Sequence, residues 1–95
     1  MNLDSIEVTI LRNLIFNEEF LRKVVPFIKS EYFENINQKI IFEEIVNFVE
    51  QYNKPITKEI LCIEIEKRSD INDNTYQEIT KLISYFEDDK SEFMW

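Results

Sequence analysis

Carboxylates are the side chains of this chain with the most potential for chemistry. The 95 residues include 19 Asp and Glu against 11 Lys and Arg, which gives a net charge of −8 at pH 7. Charged residues on helices are usually solvated, and no histidine accompanies the carboxylates as a base or a metal ligand. The sequence therefore predicts no catalytic residue and no metal-binding residue. The acidic groups that stand close enough together to raise the question are Glu43 with Glu44, Glu64 with Glu66, and Glu87 with Asp88 and Asp89.

The residue types that most cofactor sites need are also missing. The chain has no glycine, where average usage of about 7% would give roughly six or seven. Loops of the GxxxxGK[ST] and GxGxxG types need glycine where the backbone approaches a phosphate, so neither can exist in these residues. The single cysteine, Cys62, cannot form a thiolate zinc site or an internal disulfide. These residues are therefore expected to bind no cofactor.

Size and composition predict one small soluble domain. The chain is 44% hydrophobic and 14% aromatic, which is too apolar for a disordered segment. No apolar run approaches the ~20 residues of a membrane span, and the N-terminus lacks the basic start of a signal peptide. We therefore expect a cytoplasmic protein without membrane contact. The net charge of −8 opposes binding to a phosphate backbone, so no direct DNA binding is expected.

Hydrophobic spacing is helical throughout, and no strand alternation persists. Asp4 is the predicted cap of the first helix, with Glu7 completing a capping box. Asn17 and Thr57 are the predicted caps of the second and fourth helices. Pro26 is expected to kink or break the second helix, because proline cannot donate the intrahelical hydrogen bond.

The apolar stripes predict an all-α, compact bundle of about five short helices. A single helical turn is expected from residue 30, with Phe33 as its anchor, followed by a long helix over residues 37–52 and a loop over residues 69–74. The predicted buried stripes are Ile6, Ile10, Leu11, Leu14 and Ile15; Phe20, Leu21, Val24, Val25 and Ile28; Ile41, Ile45, Phe48, Val49 and Tyr52; Ile60, Leu61 and Ile65; and Tyr76, Ile79, Leu82, Ile83 and Phe86.

The folded head is predicted to cover residues 1–88, with residues 89–95 starting a linker or a further helix. The last three residues, Phe93, Met94 and Trp95, are all large and apolar. Nothing downstream helps to bury them, so we expect the chain to be a piece of a longer protein.

Four residues are candidate partner contacts: Phe16, Phe42, Val46 and Tyr85. Phe42 and Val46 widen the apolar stripe of the long helix beyond what one packing face needs. Phe16 and Tyr85 fall off the stripes of their own helices. Exposed aromatic residues are over-represented at interface cores. The alternative is that these side chains pack on loops or on each other.

An ordered set of side chains runs through the chain and resembles the N-terminal domain of DnaB-type replicative helicases. The similarity is densest with the T-even-like bacteriophage branch, at residues 14–16 and 30–34. Gln38 stands where many bacterial members have histidine, and Thr57 where they tend to have aspartate. Both replacements can still hydrogen-bond or cap, so they are interpreted as differences between branches. The matching residues are Glu7 with Leu11; Glu31, Tyr32 and Phe33; Ile41 with Phe42; and Pro55, Ile56 and Thr57.

The resemblance implies that this chain is a non-catalytic collar or assembly domain. The parent would be a hexameric DNA helicase whose ATPase domain, absent from these residues, uses ATP and Mg²⁺. Implied partners are other helicase subunits in a homo-oligomer and primase or other replisome proteins. One alternative is a stand-alone small acidic phage protein that acts as a DNA mimic or protein-binding inhibitor, although its Lys and Arg residues are interspersed among the carboxylates. The other is a stand-alone enzyme using carboxylate chemistry.

Overall fold

The computed structural model describes residues 5–86 and places five α-helices and one 3-10 turn in them. No strand occurs within these residues, so the prediction of an all-α bundle of about five helices is confirmed. In chain order the elements are α1 (Ile6–Phe16), α2 (Glu18–Val24), η1 (Ser30–Tyr32), α3 (Ile36–Tyr52), α4 (Lys58–Glu66) and α5 (Asp73–Ser84).

A polar side chain caps the start of every α-helix. The predicted caps Asn17 and Thr57 are confirmed, since they accept hydrogen bonds from the backbone N–H groups of residues 20 and 60. The predicted cap of α1 is wrong: Ser5 accepts from the backbone N–H of Val8 at 3.2 Å, and Asp4 lies outside the described residues. Asn72 caps α5, so residues 73 and 74 begin that helix and the loop is shorter than predicted.

The helix ends follow from backbone chemistry. Pro26 breaks α2 and does not merely kink it, because the helix stops at Val24 and residues 25–27 form a turn. α3 ends at Tyr52, and the capping residue Asn53 adopts the left-handed conformation with φ 55° and ψ 38°. Asparagine tolerates this region better than most residues other than glycine, which the chain lacks. Arg22 donates to both the side-chain and the backbone oxygen of Asn53 at 3.2 Å, which ties α2 to the end of α3.

Helix α3 is the centre of the fold and packs against α1, α4, α5 and η1. Phe33, the predicted anchor after η1, is buried, and its ring lies 5.0 Å from that of Phe42 on α3. Two residues depart from the predicted stripes. Ile6 is 71% exposed while Val8 is buried in α1, and Tyr52 at the end of α3 is 52% exposed. The core comprises Val8, Leu11, Leu14, Ile15, Leu21, Phe33, Ile40, Ile41, Phe42, Ile45, Phe48, Ile56, Leu61, Ile65, Ile79, Leu82, Ile83 and Phe86.

Candidate interaction surface

The four predicted contact residues lie in three separate places. Tyr85 is exposed at the end of α5, and Phe16 and Val46 are half-buried. Phe42 is only 4% exposed, so its predicted exposure is wrong. The reason is the packing of η1 and its anchor Phe33 over this side of α3, which the helical stripe alone does not reveal.

Phe42 and Val46 nevertheless share one surface feature, an open groove between η1 and α3. They are four residues apart on α3 and therefore stack on one helix face. The groove has a volume of about 400 Å³. We call it the η1–α3 groove, and its lining residues are Ser30, Phe42, Glu43, Val46, Asn47 and Arg68.

Arg68 forms one wall of this groove and is held rigidly. Its guanidinium donates to Glu44 at 2.7 Å and, through two nitrogens, to the Asp70 carboxylate at 2.9 and 2.8 Å. A third carboxylate, Glu43, lies 3.4 Å away. The hydrogen bonds that Arg68 donates lower the pKa of Asp70. The same bonds, to Asp70 and Glu44, raise the pKa of Arg68 despite its partial burial. Because its N–H groups already donate to these carboxylates, Arg68 shapes the groove and is poorly suited to bind a further anion.

Phe16 lines a second groove, where the end of α1 meets the start of α4. This groove has a volume of about 320 Å³ and is also lined by Ile15 and residues 55–59. Lys58 at its edge donates to the backbone oxygen of Phe86 at 2.7 Å, which joins the start of α4 to the end of α5. The structure therefore does not bring Phe16 together with Phe42 and Val46 in one site.

The largest apolar exposure in residues 5–86 was not among the predicted contacts. Phe27 is 77% exposed, and Tyr32 on the same connection and Ile36 at the start of α3 are also exposed. A signal was present in the sequence: Pro26 ends the helix, so Phe27 directly after it cannot belong to the helical stripe. The other exposed large hydrophobic residues are Ile6, Tyr52, Ile63 and Tyr85.

Comparison with known protein families shows which family the chain belongs to. Residues 2–91 match the model of the DnaB-like helicase N terminal domain family. The chain belongs to this family. Among curated proteins it is similar to a DnaB-like replicative helicase of Enterobacteria phage T4, at 31% identity over 86 residues and 90% of this chain. The chain spans 18% of the length of that helicase, and no solved structure matches it. The resemblance to the T-even-like phage branch is thereby confirmed.

The described part of this DnaB-like domain contains neither a metal-ligand cluster nor an activated cysteine. Within residues 5–86 no group of three or more His, Cys, Asp or Glu side chains could hold a metal ion. Burial, reinforced by the nearby carboxylate of Glu59, raises the pKa of the Cys62 thiol, which disfavours the reactive thiolate. None of the helices in the same residues is long and apolar enough to cross a membrane.

The charges of this DnaB-like domain are mixed along its helices. Helix α2 pairs Glu18 with Arg22 and Glu19 with Lys23, each four residues apart. Such pairs interrupt the rows of carboxylates that a DNA mimic needs on one surface. The arrangement therefore disfavours the alternative of a stand-alone inhibitor.

Proposed function

We propose that this DnaB-like N-terminal domain is the non-catalytic collar and assembly domain of a phage replicative DNA helicase. It packs against other subunits of the helicase and contacts primase or other replisome proteins in the cytoplasm of the infected bacterium. The observation that carries the proposal is the similarity of 90% of this chain to a phage replicative helicase, through a family defined as an N-terminal domain. ATP and Mg²⁺ belong to the ATPase domain of the parent protein.

Two features of the structure support a role in protein contacts. The described surface carries exposed aromatic side chains beside an open groove on α3. Aromatic residues bury a large area at little cost in conformational freedom, which suits them to interface cores. The net charge of −8 disfavours a nucleic-acid surface, since such a surface needs Lys and Arg to neutralise phosphates.

The first test is a pair of activity measurements on the purified chain. We expect no ATP hydrolysis, measured by a coupled enzyme assay. We also expect no binding of single-stranded DNA at physiological salt, measured by fluorescence anisotropy. ATP hydrolysis that co-purifies with the folded chain through successive columns would contradict the proposal.

The second test is a chimera with the phage T4 helicase. The matching N-terminal segment of that helicase is replaced by this chain, and subunit assembly and DNA unwinding are compared with those of a version lacking the segment. We expect the chimera to assemble and unwind better than the shortened helicase, because the assembly role lies in this domain. A chimera no better than the shortened helicase would refute it.

A further inference from the structure

We propose that two copies of this chain pair through the connection between α2 and α3, with Phe27 of each copy inserted into the η1–α3 groove of the other. This inference deepens the proposed function, on which it rests, by naming the surface that serves for subunit packing.

The inserted side chain is exposed and already positioned. Phe27 is 77% exposed although it is a large apolar residue. Its backbone N–H donates to the carbonyl of Val24 at 2.9 Å, and Pro26 restricts the residue before it. A side chain held on a fixed turn loses little further freedom on binding, which favours association.

The receiving groove has a mixed lining. Phe42 and Val46 on α3 are its apolar residues, and Arg68 is held beside them by its bonds to Glu44 and Asp70. Because Phe27 of the same chain is exposed, it does not occupy this groove itself. An aromatic side chain from another molecule would bury its own ring and the exposed part of Val46.

The positions of the two features favour reciprocal pairing. Phe27 lies only three residues before Ser30, which lines the groove, so projection and groove are near neighbours on the surface. When complementary features are adjacent, a two-fold axis between two copies lets each projection meet the other's groove. Such an interface closes on itself and gives a dimer, not an open filament.

Charge also favours a second copy as the occupant. Lys29 follows Phe27 closely and makes no ion pair within residues 5–86, and the same is true of Glu31 beside the groove. Glu43, which lines the groove, is only loosely paired at 3.4 Å. In a reciprocal dimer each copy therefore brings a cation toward the carboxylates of the other, so the chain carries both halves of a complementary surface.

The first experiment measures the dimer dissociation constant of the chain by sedimentation equilibrium. We expect a monomer–dimer equilibrium that Phe27→Ser and Val46→Gln each weaken at least tenfold. Ile63→Ser is the matched control. Like Phe27, Ile63 is a large exposed apolar residue, but it lies on α4 and does not line the groove. Far-UV circular dichroism tests whether each variant is folded. If Val46→Gln unfolds, Phe27→Ser still tests the interface, because it changes an exposed residue that the fold does not need.

The second experiment maps the contact by disulfide trapping in a Cys62→Ser background. One sample carries Phe27→Cys and the other Asn47→Cys, and the two are mixed under mild oxidation. We expect the mixed disulfide, identified by mass spectrometry, to form faster than the one between Ile63→Cys and Asn47→Cys.

The outcomes separate this inference from the proposed function. A monomer at every concentration up to the millimolar range, or an oligomer that Phe27→Ser leaves unchanged, would overturn the Phe27 interface. Neither result would refute an assembly role, because the parent helicase has further regions for subunit contact. The chimera and the activity measurements test that role independently.

Discussion

Arg68 is the single side chain that joins the most parts of the described structure. It bonds Glu44 on α3 and Asp70 in the connection to α5, and its own side chain is only 18% exposed. Removing one partner of a sheltered ion pair leaves the other charge poorly solvated. Arg68 is therefore expected to matter more than Arg22, Lys23 and Lys67, whose ion pairs are exposed.

Replacing Arg68 by alanine is expected to lower the free energy of unfolding by about 2–3 kcal/mol, because the Glu44 carboxylate loses its partner. Arg68→Lys should recover part of the loss, since lysine keeps the charge but not the two-nitrogen contact with Asp70. Urea unfolding followed by circular dichroism measures both. The control is Lys67→Ala, whose solvent-screened pair with Glu64 should contribute little to stability. Equal losses at positions 67 and 68 would show the expectation to be wrong.

Gln38 is the second residue whose environment is informative. It is 8% exposed, and its side chain makes no hydrogen bond within residues 5–86, although an amide at this position can form one. Its backbone N–H does bond the cap Asn35. A buried amide without partners is unfavourable, because it loses its bonds to water.

Gln38→Met is therefore expected to raise the free energy of unfolding by about 1 kcal/mol, since methionine has a similar shape and no polar group to desolvate. Gln51→Met is the matched control on the same helix, at an exposed position where little change is expected. Urea unfolding again gives both values. A loss of stability at position 38 would contradict this expectation.

At the scale of elements, the helices begin and end through local backbone chemistry. Side-chain caps start each α-helix, and Pro26 stops α2. The end of α3 depends on Asn53 in the left-handed region, where a Cβ costs roughly 1–2 kcal/mol. Arg22 bonds this residue, so the same position also fixes how α2 lies against α3.

Alanine and glycine are expected to rank in opposite order of stability at Asn53 and at a position inside α3. Asn53→Ala is expected to be less stable than Asn53→Gly by about 1 kcal/mol, because only alanine has an unfavourable Cβ in the left-handed region. Both variants lose the bond from Arg22 to the side chain, so their difference isolates the backbone. At Asn47, in the middle of α3, the order should reverse, since glycine destabilises a helix interior by about 0.5–1 kcal/mol. Thermal unfolding of the four variants decides the matter; the same order at both positions would refute the argument.

At the scale of the whole molecule, family membership and surface geometry answer different questions. The family shows that the chain is a DnaB-like helicase N-terminal domain. It does not say which face meets another subunit, and the two grooves offer different answers. The η1–α3 groove is preferred because the exposed Phe27 lies three residues before Ser30 in its lining, and because Lys29 and Glu31 on the same connection make no ion pair within residues 5–86.

The sequence alone determined the features that depend on local chemistry. Helical periodicity, the caps Asn17 and Thr57, the break at Pro26 and the anchor Phe33 follow from interactions within a few residues, and each is found in the structure. The order of side chains was also enough to predict the family.

Only the tertiary structure decided which apolar side chains are exposed. Phe42 was predicted to be a contact residue on the surface but is covered by η1 and Phe33, while Ile6 was predicted to be buried but is open to solvent. Phe27 is exposed although nothing in its residue type requires it. The physical reason is that burial depends on which elements pack together across long sequence separations. A helical stripe shows which face prefers burial but not what covers it.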